Sequence, residues 1–230
     1  MVRHSPHALP SRTVFLLGGS LFLVIVLFVS SAAQSALRTA EGGTITFRKI
    51  FKSSYPEFVE IKLNENGSAS YDIRQLDEPP SPVAFQVSAP LAQKIFSLAA
   101  KLHNFQGVDL EVHRRIANLG EKTLRYEKGS EAYEVKFNYT LDDSATQLLN
   151  LFEGLCRQEN DLSTLVRVMR YDRLGVNDAV GQLETDFNNK LLPEPERLLP
   201  ALDQVAADDT YLDIARQRAH ILASKIRGTR

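Results

Sequence analysis

The spacing of hydrophobic and polar positions changes character three times along the chain. From Thr13 to Leu37, 25 consecutive residues carry no charge, and the centre of the run, Leu21 to Val29, reads LFLVIVLFV. As a helix rising 1.5 Å per residue, such a run crosses ~30 Å of hydrocarbon. Two assignments fit it. One is an export signal, with Arg3 and Arg12 before the apolar stretch Val14 to Val29 and small residues, Ser30 to Ala36, after it. The other is an uncleaved anchor. Arg38, Arg48, Lys49 and Lys52 follow the run just as Arg3 and Arg12 precede it, so a count of basic residues does not set the orientation. The small-residue exit favours export of the C-terminal part.

Beyond the run the pattern turns to period two. Thr44 to Phe51 is rich in β-branched and aromatic residues and predicts a strand. Val59, Ile61 and Leu63 alternate with Glu60 and Lys62, and Ala69, Tyr71 and Ile73 alternate across Ser68 to Arg74. Asn64-Glu65-Asn66-Gly67 lies between them, and Asn and Gly accept the positive φ that a tight turn needs. These residues predict a hairpin. A short strand near Ala84 to Val87 follows the proline-rich Asp77 to Pro82. A second hairpin is predicted from Lys122 to Lys128 and Glu131 to Thr140, turning at Gly129-Ser130.

Helical spacing comes between and after these strands. Ser88 and Pro90 open a helix with Leu91, Ile95, Leu98 and Leu102 on one stripe. Ser144 and Gln147 read as a capping box before Ala145, Leu148, Leu149, Phe152, Leu155 and Cys156. From Asn160 strand signals stop. Asp161 is expected to cap a new helix, Gly175 to interrupt it, and Val176, Val180, Leu183 and Phe187 to continue the apolar stripe. Leu198 to Ala206 predicts a short helix, and Asp208-Asp209 a cap for the last one, with Leu212, Ala215, Ala219, Leu222 and Ile226 as its seam. The fold class expected is α+β: an antiparallel sheet with helices on one face, then an all-α helical tail. The expected divisions are a leader at 1–37, an α+β domain at 38–158 and a helical bundle at 159–230.

Charge sharpens this division. The whole chain carries 27 basic and 28 acidic side chains, a net −1. The first 37 residues hold Arg3 and Arg12 and no acid, so 25 basic face 28 acidic in the remainder. That mild acidity argues against nucleic acid as a partner. A single cysteine forms no internal disulfide. Its position, 156, excludes lipid attachment at an N-terminal cysteine.

The chain has no GxxxxGK[ST], GxSxG or HExxH motif. Cys156 sits on an apolar helical stripe and reads as a small core residue. Asp109, Glu111 and His113 alternate, so on a strand they would face one way, where they could share a proton or approach a metal. The competing reading is a solvent-facing polar edge beside Arg114 and Arg115. Arg216, Arg218, Lys225, Arg227 and Arg230 make the end of the last helix basic, which suits either an anionic surface or the helix dipole. No cofactor is indicated.

The segments Tyr171-Asp172-Arg173-Leu174-Gly175-Val176 and Ile214-Ala215-Arg216-Gln217-Arg218-Ala219 resemble the helical tail of a group of bacterial exported or membrane-anchored proteins, over roughly the last 70 residues. That group has no assigned activity, so the resemblance implies a bacterial source and an envelope location and no site residue. The resulting expectation is an exported or inner-membrane-anchored, non-enzymatic module. It meets the membrane through residues 13–37 and a protein partner through the helical tail. The alternative is a periplasmic ligand-binding or hydrolytic protein with Asp109, Glu111 and His113 at the rim of a sheet-face site.

Overall fold

A computed structural model describes residues 42–228. The apolar run Thr13 to Leu37 and Arg230 lie outside the described residues. Six strands form one antiparallel sheet: β1 (Thr44–Ile50), β2 (Phe58–Asn64), β3 (Ser68–Arg74), β4 (Val83–Gln86), β5 (Glu121–Lys128) and β6 (Glu131–Phe137), in the order β4-β3-β2-β1-β5-β6. Both predicted hairpins are present, and β1 separates them, pairing Phe47 with Ile61 on one side and with Leu124 on the other. Alternation sends Ile45, Phe47, Ile61, Leu63, Leu124, Val135 and Phe137 to one face, where all are buried. The other face carries Thr46, Arg48, Glu60, Lys62, Arg125 and Glu134, tied into pairs such as Arg48–Glu60 at 2.6 Å.

Two helices cover the apolar face. In α1 (Ala89–Lys101) the Ser88 hydroxyl accepts from the Leu91 amide, and Leu91, Ala92, Ile95, Leu98 and Ala99 are buried. The helix ends in a left-handed turn, with φ of 54°, 50° and 68° at His103, Asn104 and Phe105. Three non-glycine residues in that region cost on the order of 1–2 kcal/mol each. The turn inserts Phe105 into the core, where it is 1% exposed, and that burial offsets part of the cost.

The long helix α2 (Asp143–Tyr171) departs from the expected boundaries at both ends of its first half. Its cap is Asp142, whose carboxylate accepts from the Ala145 amide at 2.8 Å, so Ser144 lies inside the helix. The helix also runs unbroken through 158–161, where a break and a new cap at Asp161 were expected. At 29 residues it is roughly 43 Å long. Its first half packs on the sheet, Phe152 stacking on Phe47 with ring centroids 5.4 Å apart. Its second half contributes Leu165 and Val168 to a separate buried cluster.

That second cluster belongs to α3 (Val176–Asn188), α4 (Leu199–Ala207) and α5 (Asp213–Gly228) together with the end of α2. Neighbours run α2–α3, α3–α5, α5–α4 and α4–α2, a four-helix arrangement. The last helix starts at Asp213, later than expected. Asp208 instead ends α4, its carboxylate accepting from the Thr210 amide at 2.9 Å. Leu212 therefore stays 46% exposed, while Ala215, Ala219, Leu222 and Ile226 form the buried seam.

A strap, residues 189–198, joins the two clusters through polar contacts. Gly154 leaves room for it on α2: a Cβ there would lie 2.8 Å from Pro193 Cγ and 2.9 Å from the Leu191 carbonyl oxygen. Gln158, fully buried, accepts from the Glu194 amide at 3.0 Å, and Glu194 accepts from the Ser88 amide at 2.8 Å. Arg197 donates to Glu159 at 3.0 Å and to the Gln86 carbonyl, with its guanidinium 5.4 Å from the Phe85 ring centroid.

Candidate functional site

The end of the helical region where α2 stops and α5 starts is built from the two segments singled out by their sequence. After Tyr171 the chain turns: Asp172 takes a non-helical conformation, and its carboxylate accepts from the Gly175 amide at 3.1 Å. Asp172 therefore closes a turn, and α3 starts at once behind it. From the other side the Tyr211 hydroxyl donates to the Met169 carbonyl at 3.1 Å, which pins the start of α5 to the end of α2. Arg218 donates to both the carbonyl and the side-chain oxygen of Asn177 and lies 3.6 Å from Glu184. The 171–176 and 214–219 stretches, some 40 residues apart, thus form one corner.

This corner keeps large apolar side chains in water. Tyr171 is 77% exposed and Leu174 72%, and Leu212 and Ile214, at the start of α5, are exposed as well. The Arg170 guanidinium sits 5.7 Å from the Tyr171 ring centroid. Hydrogen bonds to Thr210 hold the Asp208 carboxyl below its usual range, with smaller help from Arg173 and Arg216.

The basic stripe expected on the last helix is largely neutralised within the fold. Arg216 pairs with Asp213 at 3.1 Å, Lys225 with Glu184 at 2.9 Å and Arg227 with Asp203 at 2.5 Å.

Asp109, Glu111 and His113 lie on irregular chain between α1 and β5, not on a strand. The Asp109 carboxylate accepts from the Glu111 amide at 3.0 Å, a local turn that competes with extended backbone. The fold brings Asp109 and His113 together, 2.6 Å apart and exposed, so the hydrogen bond raises the His113 pKa and lowers that of Asp109. Glu111 turns away and accepts from the Asn138 amide at 2.5 Å. Among the described residues, no group of three or more His, Cys, Asp or Glu is placed to hold a metal ion. Cys156 is buried on α2, and burial pushes its thiol pKa well up.

Sequence reasoning missed a set of interior carboxylates along the middle of α2. Glu159 is 4% exposed and Asp186, on α3, 2%. Burial raises the Glu159 pKa against the pull of Arg197. Burial and the neighbouring Asp186 carboxylate push Asp161 up to about 7. One Asp161 oxygen is buried without a hydrogen-bond partner, whereas Asp186 accepts from Gln182 at 3.0 Å and faces Arg157 at 3.6 Å. One signal was legible: Gln158 and Glu159 fall three and four residues after Leu155, on the apolar stripe.

Fold and site together define an α+β layer joined by one continuous helix to a helical bundle with an exposed apolar and basic corner. No protein-family model matches the chain, and no curated protein matches it either. Among the described residues, no helix is long and apolar enough to cross a membrane.

Proposed function

We propose that this chain is a non-enzymatic interaction module of the bacterial envelope. In this reading the run Thr13 to Leu37 directs it to the inner membrane as an anchor, or releases it to the periplasm if cleaved, and the corner of the bundle docks a partner protein. The observation that carries the reading is the convergence of the 171–176 and 214–219 segments on one surface, with Tyr171, Leu174, Leu212 and Ile214 left uncovered. Aromatic and Arg side chains in such a setting supply most of the energy of a protein contact.

The test is site-specific photo-cross-linking in the native cell. A photoreactive residue at Leu174 or Ile214 is expected to capture one defined species. The same residue at Leu141, exposed on the other half of the fold, is expected to capture none. Equal capture at all three positions, or capture at Leu141 alone, refutes the corner as a docking surface. Reporter fusions at the C-terminus, one active only outside the cytoplasm and one only inside, test the envelope assignment separately. Activity of the inside reporter alone overturns it.

A further inference from the structure

A second feature lies on the opposite side of the fold, where the ends of β1 and β5 pass under the first half of α2. Lys49 and Lys122 stand directly opposite each other in the β1–β5 register, both on the helix-covered face. Two like charges in that relation repel. On the α2 side the pair meets Glu153, 3.0 Å from Lys49, and from the loop before β5 Glu111 also acts on Lys122. Lys122 is 7% exposed, and its ammonium donates to three backbone carbonyls, Asn138 at 2.7 Å, Gly120 at 3.3 Å and Leu119 at 3.4 Å. Its donors are therefore consumed, and it acts as a fixed positive charge. Burial foremost, then Lys49, lowers its pKa.

Two cavities open on either side of the Lys49–Glu153 pair, one of about 410 Å³ and one of about 230 Å³. The larger has an apolar floor and wall, Phe51, Leu119, Leu149 and Tyr139, and carries the donors of Thr146 and Asn150 on α2. The smaller adds a third cation, Arg157, beside Cys156. Arg157 already faces Asp186 at 3.6 Å, whereas the larger cavity is lined by two lysines, Lys49 and Lys122, and one carboxylate, Glu153. A concave apolar site of this size with a few convergent polar groups is the form that small-molecule sites take.

We propose that the larger cavity binds a small organic monoanion, a carboxylate on an aromatic or branched aliphatic body. The carboxylate sits beside Lys49 in the field of Lys122, within reach of Thr146 and Asn150, and the body rests on Phe51, Leu119 and Leu149. The anion joins a cavity lining of two lysines and one carboxylate, Glu153, while Glu111 acts on Lys122 from outside that lining. This assignment is independent of the bundle corner, which lies on the other half of the fold.

The probe is 3-(4-fluorophenyl)propanoate, titrated into the purified full-length chain and followed by fluorine NMR, with 3-(4-fluorophenyl)propanol as its neutral counterpart. Saturable binding of the carboxylate is expected, with the alcohol weaker by on the order of 10-fold, since a charge-assisted hydrogen bond contributes about that factor. Lys49→Gln is expected to weaken the carboxylate by a similar factor and leave the alcohol unchanged. Asn150→Trp, on the exposed side of α2, fills the cavity and is expected to abolish binding of both while the circular dichroism spectrum is kept. Absence of saturable carboxylate binding, equal affinity for acid and alcohol, or indifference to both substitutions each overturns the proposal.

Discussion

Gly154→Ala sets two opposing terms against each other at the place where the strap crosses α2. Gly154 is in a helix interior, where alanine is favoured by about 1 kcal/mol. The added methyl, however, would stand 2.8 Å from Pro193 Cγ, 3.0 Å from its Cδ and 2.9 Å from the Leu191 carbonyl oxygen. Those neighbours are a ring and a backbone group, and neither can swing aside. Overpacking of this kind costs about 1–3 kcal/mol. Displacement of the strap also strains the bond from the Glu194 amide to buried Gln158, and a buried group left without its partner costs about 1–3 kcal/mol more. The net expectation is a loss of about 1–5 kcal/mol. Gly181→Ala is the internal control. It too lies within a helix, but its methyl meets only the far end of the Arg218 side chain, at 2.9 Å, which can move. Its expected effect lies between zero and a gain of about 1 kcal/mol. Urea unfolding of both variants, followed by circular dichroism, measures the difference. A Gly154→Ala protein as stable as the wild type, or a Gly181→Ala protein equally destabilised, refutes the reasoning.

Two further outcomes follow from the interior. Asp161 has a folded-state pKa of about 7, against roughly 3.9 in an unfolded chain, so the folded form binds more protons between those values and stability falls as pH rises through them. Asp161→Asn should therefore stabilise the protein at pH 8 by about 1 kcal/mol, a figure discounted for partial exposure, with the gain shrinking as pH falls and nearly gone at pH 4; urea unfolding at pH 8 and pH 4 decides it. Phe152→Ala removes a fully buried ring stacked on Phe47 and should cost about 3–5 kcal/mol by the same measurement, with a loss under 1 kcal/mol contradicting its place in the core.

Local patterning made much of this fold readable. Alternation at Val59, Ile61 and Leu63, the Asn-Gly turn and the Ser88 cap all appear where the residues place them, because each depends on neighbours within a few positions. Boundaries failed where a distant partner changed the value of a local signal. Polar Gln158 to Asp161 reads as a helix end, yet the Glu194 amide bonds the Gln158 side-chain oxygen and Arg197 pairs with Glu159, both from nearly 40 residues away, and the helix continues. Asp109, Glu111 and His113 read as one strand face, but the Asp109 carboxylate turned the chain locally and the Asn138 amide drew Glu111 aside.

By itself, then, the amino-acid order determined the strands, most of the helices, the α+β class and the contrast between an apolar N-terminal run and a mildly acidic remainder, since all of these are sums over near neighbours. Only the tertiary structure decided that 171–176 and 214–219 form one surface, that the stripe of basic residues on the last helix is spent on Asp203, Glu184 and Asp213, and that Lys49 faces Lys122 over a cavity. Those facts depend on which residues meet after the chain has crossed the sheet and turned through the bundle, and separation along the sequence carries no record of that.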